Sequence, residues 1–223
     1  MAKGKTQGKR TISALRRERE RAEVRRRIVA VAREMFMRDG YEAVTFRSVA
    51  NAIEYSHAAL YQYFPDKKSL IIEVCRTDYE DLSRVVMECL AISDPVERLS
   101  DMARKCAAWA VNHPHHYEVM MRESSQVADD LVEGRGADRW DLEGDALAIL
   151  RAAIEEALRA RRVRPKYTNV DLVVATLWAG IHGVISLEIA MDPYKLQRLG
   201  PGAASFADRI EGLLNVLKEG YLQ

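Results

Sequence analysis

Between Thr45 and Pro65 the chain carries two short segments with apolar faces, separated by only two residues, Glu54 and Tyr55. Phe46, Val49, Ala50 and Ile53 share one helical face of the first, and Leu60, Tyr61 and Phe64 share one face of the second. A hydroxyl residue, Thr45 or Ser56, stands at the N-cap position of each, and Pro65–Asp66 ends the unit. Helices this short, joined by so tight a turn, cannot lie antiparallel and bury both faces on their own; they must cross steeply over a third helix. That helix is predicted just upstream, where Ile28, Val31, Ala32, Met35 and Phe36 trace one face. It stops at Asp39–Gly40, where a glycine takes the left-handed C-terminal conformation.

Apolar residues recur at helical spacing along nearly all of the remaining chain, and no alternating segment argues for a sheet. The fold class read from this pattern is all-α: a three-helix N-terminal helix-turn-helix domain and a C-terminal antiparallel helical bundle, about nine helices in total. A long helix is predicted from Lys67 through Leu82 and Val86. Asp94–Pro95 caps the next, which carries Leu99, Met102, Cys106 and Trp109 up to Pro114. A shorter helix follows around His115 to Ser124, and Gly134 and Gly136 mark a break before one holding Leu147, Leu150, Ile154 and Leu158. Asn169 to Met191 is the most apolar stretch and is expected to be buried almost all round. The connector from Pro193 to Pro201 reads as a loop, and a last helix carries Phe206, Ile210, Leu213, Leu214 and Leu217. The predicted domains are a flexible basic arm over 1–20, a helix-turn-helix domain over 21–82 and a second helical domain over 83–223.

Charge is distributed unevenly. The first 27 residues hold eleven Lys or Arg against three Glu, a net of +8, so the formal total of +1 leaves −7 for the remaining chain. A basic arm on an acidic body suits attraction to a phosphate backbone, and it equally suits a solvated tail. No apolar stretch follows these charges, so the arm does not read as a secretory leader, and no unbroken apolar run of about 20 residues predicts a membrane span. The expected compartment is the cytoplasm. Cys75, Cys89 and Cys106 are odd in number and lack C-x-x-C spacing, which suits reduced thiols in a core better than disulfides or zinc. His113, His115 and His116 straddle Pro114 without the spacing of a metal site. No metal or cofactor is expected.

Residues 25 to 82 resemble the DNA-binding domain of the TetR (tetracycline-repressor) family. The matching positions are Ile28, Ala32, Phe36, Gly40-Tyr41, Thr45, Val49-Ala50, Ser56, the run Leu60-Tyr61-Gln62-Tyr63-Phe64, and Lys67 with Leu70. The resemblance implies a transcription regulator, most often a repressor, that binds a palindromic double-stranded operator as a homodimer and is released by a small, largely apolar effector. It is not expected to be an enzyme. Thr45 and Ser56 sit at helix N-termini that can also hold phosphate. His57, Ala58 and Ala59 occupy the first turn of the reading helix, where side chains reach base edges. Arg47 resembles the position from which the family sends a side chain to bases or phosphates, and Lys67 its phosphate-contacting lysine. Tyr61 and Tyr63 offer hydroxyls to the backbone, or pack as core aromatics. Where the family usually has glycine in the turn, this chain has Glu54, which at positive φ costs on the order of 1 kcal/mol.

Farther along, Trp178, His182-Gly183 and Leu187-Glu188 resemble the W-x-x-x-H-G segment of one TetR subgroup. Trp178 and His182 share a helix face suited to lining an effector site. Trp109, Tyr117, Met120, Met121 and Trp140 are further candidates for surrounding an apolar ligand, and all of these also suit an ordinary core. Ile185, Leu187, Ile210, Leu214 and Leu217 are candidates for a helix-pair dimer interface, with intramolecular packing as the alternative. Two rival functions stand beside this reading: a helical protein-interaction adaptor, and an α-helical enzyme using His182, His116 and Glu188. The second lacks a nucleophile with an adjacent base, a phosphate loop and metal spacing.

Overall fold

The computed structural model describes residues 12–40, 42–122, 145–198, 200 and 205–222. The chain forms two compact units, residues 1–74 and 75–223, so the division falls inside the long helix rather than at 82/83.

In the first unit, α1 spans Ile12–Asp39, α2 Phe46–Ala52 and α3 His57–Leu60, followed by the start of α4, Lys67–Met87. Ile28, Val29, Ala32 and Phe36 of α1 are buried with Val44, Phe46, Val49, Ala50, Ile53, Leu60, Phe64, Leu70, Ile71 and Val74. Gly40 ends α1 at a φ of +76°, its N–H donating to the Phe36 carbonyl at 2.9 Å. One expectation fails here: helix begins at Ile12, well inside the arm read as flexible through residue 20. Alternating Arg, Glu, Leu and Ala are good helix formers, and continuity with the packed segment removes the cost of nucleation.

The second unit contains the rest of α4, a 3-10 turn over Glu88–Ala91, α5 over Pro95–Asn112 and α6 over 114–122. It continues with α7 over Ala146–Arg159, α8 over Val170–Ala190, α9 over Pro193–Gln197 and α10 over Phe206–Tyr221. α5 packs against α7, α8 and α10; α8 also packs against α7 and α10. Asp94 caps α5 through the Val96 and Glu97 N–H groups, with Pro95 in the first turn as predicted. Buried Arg98 donates to the Ile92 carbonyl at 2.8 Å and pairs with Glu156, fastening α5 to α7. Arg162, just past α7, pairs with Asp94 at 2.7 Å. Among the described residues there is no strand, only an isolated bridge between Val163 and Leu222, beside which Tyr167 and Tyr221 stack at 4.2 Å.

Two further readings need correction. The connector after Pro193 begins with a helical turn, α9, capped by Asp192. The most apolar helix, α8, is not enclosed: Val173, Ile181 and Ile185 are buried, whereas Leu172, Trp178 and Leu187 are substantially exposed. That helix is also long and apolar enough to cross a membrane by length and composition, which scattered polar residues conceal from a search for unbroken apolar runs. Gly134, Gly136 and Trp140 lie outside the described residues.

Candidate nucleic-acid interface and effector domain

The turn between α2 and α3 has a specific geometry. Thr45 and Ser48 form a reciprocal capping box at the start of α2: the Thr45 hydroxyl accepts from the Ser48 N–H at 3.1 Å, and the Ser48 hydroxyl accepts from the Thr45 N–H at 2.9 Å. At the other end of α2 the Glu54 N–H donates to the Asn51 carbonyl at 3.2 Å and the Tyr55 N–H to the Ala50 carbonyl at 2.9 Å, with Glu54 at φ +61°. This is a Schellman termination with a glutamate where glycine is ordinarily required. The positive φ suspected from the family pattern is therefore present.

Ser56 then caps α3, its hydroxyl accepting from the Ala59 N–H at 3.2 Å. Leu60 and Phe64 are buried, which turns His57 and Ala58 outward and leaves Ala59 half-buried. Tyr61 is 52% exposed and rests against Phe46 at 5.2 Å between ring centres, with His57 edge-on to it at the same separation. Phe46 thus lies beneath exposed His57 of α3 and Tyr61 at its C-cap. Arg47 is exposed on α2, and Tyr63 and Lys67 are half-buried. Both hydroxyl caps, Arg47, His57, Ala58 and Tyr61 are brought to accessible positions of one compact unit. At the entrance to α4, Asp66 accepts from the Ser69 N–H and hydroxyl, each at 2.7 Å, which holds its carboxyl below the usual range.

Sequence reasoning passed over Arg21 and Arg25 as individual residues. Arg21 donates to the Gln62 carbonyl at 2.7 Å and sits 5.9 Å from the Tyr63 ring centre. Arg25 lies 4.3 Å over Phe64 and pairs with Glu73 at 3.0 Å. Their four-residue spacing was visible, but the partner 41 residues away was not.

In the second unit, Tyr117, Trp178 and His182 come together. The Tyr117 hydroxyl is 2.7 Å from His182 Nδ1, the Ser186 hydroxyl is 3.3 Å from Nε2, and the Trp178 indole stacks on the imidazole at 5.3 Å. Burial pushes the Tyr117 phenol well above its ordinary range. Met120 and Trp109 are buried in the same unit, Trp109 beside the His113 ring, and Met121 is half-buried. The residues weighed as an enzyme centre are dispersed among other pairings: His116 binds Asp78 at 2.7 Å in a buried contact, and Glu188 pairs with Arg209. Among the dimer candidates, Ile185, Ile210, Leu214 and Leu217 are buried within the single chain; Leu187 is the one that remains exposed.

Residues 28–74 match the profile of bacterial regulatory proteins, tetR family, and residues 99–212, more than half of the chain, match that of the tetracyclin repressor-like C-terminal domain. The chain belongs to the TetR family. TetR proteins are DNA-binding transcription regulators, not enzymes. The C-terminal match is to the general TetR-like domain and does not establish the W-x-x-x-H-G subgroup. The HTH-type transcriptional repressor KstR of Mycolicibacterium smegmatis is 32% identical over 106 residues, which is 47% of this chain and 50% of that protein. This chain thus spans about half the length of the curated relatives it matches. Among solved structures, the TetR regulator PfmR of Thermus thermophilus superposes with a TM-score of 0.56 at 21% identity, covering 85% of this chain and 97% of that one. RolR in complex with resorcinol gives 0.63 at 14% identity, covering 89% of each chain. At these identities the structures share the TetR fold.

Proposed function

We propose that this TetR protein is a cytoplasmic, homodimeric repressor that reads a palindromic operator through α3 and leaves it on binding a small, largely apolar effector. The outward edge of α3, with His57 and Ala58 exposed beside the capped N-termini at Thr45 and Ser56, is the observation that carries the reading. N-terminal N–H groups and hydroxyls hold phosphates, while first-turn side chains reach base edges. Ala58 and Ala59 suit a thymine methyl, His57 a base acceptor or donor, and Arg47 a guanine or a phosphate. Tyr61, Tyr63 and Lys67 grip the backbone.

The exposed side of α8 is the dimer surface in this reading. Ala175, Ala179 and Gly183 recur every four residues along it, flanked by Leu172 and Leu187, and Gly212 and Val216 are exposed on the neighbouring α10. Small residues let a second helix approach closely, and the uncovered apolar area favours its burial. The effector site centres on Tyr117, Trp178, His182 and Ser186, where an indole surface adjoins a polar cluster. RolR's resorcinol, a small aromatic diol, has the chemistry that such a site would accept. Effector binding shifts the dimer between arrangements of its reading heads, and it does so only by favouring one of them.

Selection of bound DNA from a random pool tests this directly. Recovery of a palindrome bound by a dimer is expected, with Arg47→Ala and Tyr61→Ala each weakening that complex roughly 10- to 100-fold. An operator bound equally well by both variants would refute the assignment of contacts, and recovery of no preferred sequence would refute the reading itself.

A further inference from the structure

The exposed N-terminal half of α1 has no apolar face to bury. Ile12 is 89% exposed, and residues 12–23 are all solvent-facing, yet the helix is continuous with the packed segment from Ile28 onward. Residues 12–27 contain seven arginines and three glutamates. Two of the glutamates are neutralised within the helix, Glu20 by Arg16 at 2.7 Å and Glu23 by Arg26. With seven arginines against three glutamates, the segment keeps a cationic excess.

Its orientation is fixed by contacts inside the same unit. Arg17, Arg21 and Arg25 form one stripe at four-residue spacing. Arg25 is docked on Phe64 and Glu73, and Arg21 on the Gln62 carbonyl and the Tyr63 ring. The stripe therefore faces the C-terminal end of the reading helix, and Arg17 continues it one turn beyond. From Arg21 to Ile12 the helix extends a further ~13 Å at 1.5 Å per residue.

We propose that the N-terminal half of α1 is a second, rigid DNA-binding element that grips the phosphate backbone flanking each half-site, held in register with the reading helix by Arg21. The proposal rests on the placement of α3 against DNA. A flexible cationic tail would supply the same charge without a fixed position. A helix clamped at Arg21 and Arg25 presents Arg17 at a set distance from Tyr63, so less freedom is lost when it binds. Shape and charge fit a polyanion with regularly spaced phosphates.

The test uses the full chain and the operator it selects, with two variants checked for an unchanged thermal midpoint. Arg17→Gln removes the cation at the outer end of the stripe. Insertion of Gly-Gly between Glu20 and Arg21 keeps every charge but breaks the helix between the grip and its clamp. The charge variant is expected to flatten the slope of log K against log salt by about 1. The insertion is expected to weaken binding roughly tenfold, and both should shorten the hydroxyl-radical footprint at its outer edges. An insertion variant with wild-type affinity, slope and footprint would overturn the rigid element in favour of a tail. An unchanged slope in the charge variant would remove α1 from the DNA altogether. If the wild type selects no operator, the failure belongs to α3, and the α1 grip is still measured by the salt slope on random-sequence duplex.

Discussion

Leu213 of α10 lies so close to Gly180 of α8 that a β-carbon there would come within 3.2 Å of its Cδ1. Three residues on, a β-carbon at Gly183 would meet nothing within 4 Å. Two glycines on one helix therefore answer to different neighbours: Gly180 to the chain's own α10, Gly183 to whatever covers the exposed side.

Gly180→Val should strain the α8–α10 contact and destabilise the chain by about 1–3 kcal/mol in denaturant titration. Gly183→Leu should leave the fold intact, since helix propensity improves, and should shift sedimentation from dimer towards monomer. A Gly183→Leu protein that stays dimeric at micromolar concentration would place the subunit interface on another surface.

Glu54→Gly is expected to stabilise the first unit by roughly 1 kcal/mol, because glycine adopts φ +61° without the β-carbon clash. Thermal melting reads this, and an unchanged or lowered midpoint would show that the glutamate side chain compensates its own strain. The same variant removes a carboxylate from the neighbourhood of the proposed DNA surface, so operator affinity should rise at low salt more than at high salt.

Much of the first unit was legible because its determinants are local. Thr45 and Ser56 advertised their caps, Asp39–Gly40 its helix end, and Leu60 and Phe64 their burial through spacing alone. The second unit was less legible where the decisive partner is remote or intermolecular. Hydrophobicity around all of α8 reads the same whether its outer side meets the chain's own core or another molecule, so Ile185 and Leu187 looked equivalent although one is buried and the other exposed. Tyr117 and His182 meet across 65 residues, and no periodicity connects them.

The cysteines should be chemically silent in the native protein. None of the three is in a disulfide; burial pushes Cys106 up to about 12, and burial together with the Asp101 hydrogen bond pushes Cys89 up to about 11. Thiolate is the reactive form, so an aromatic disulfide reagent at about pH 8 should leave Cys89 and Cys106 unmodified until denaturant is added. Rapid labelling of buried Cys89 in native protein would show that the contact between the Glu88–Ala91 turn and α5 opens readily.

Acid should loosen the second unit before alkali does. The Glu97 N–H and Arg162 hold Asp94 below the usual carboxylate range, and Arg98 and Arg104 do the same for Glu156 and Glu211. A depressed carboxylate contributes stability above its unfolded pKa of about 4, and that contribution is lost as pH falls through the lower folded value. Thermal midpoints should accordingly be level near neutrality and fall below about pH 4, with Glu156→Gln flattening the acid limb. An acid limb unchanged in that variant would assign the loss to other groups.

The proposed reading helix, α3, is helical over four residues only, and its hold on the rest of the unit comes from Leu60 and Phe64 rather than from the side chains that face outward. Exchanging Ala58, or the exposed edge of His57, alters neither the buried seam nor the caps. If α3 reads the operator as proposed, a lineage of such proteins can explore new operator sequences by single substitutions without losing its fold, while the positions beneath stay closed to change. Divergence of regulatory targets would then run ahead of divergence in architecture.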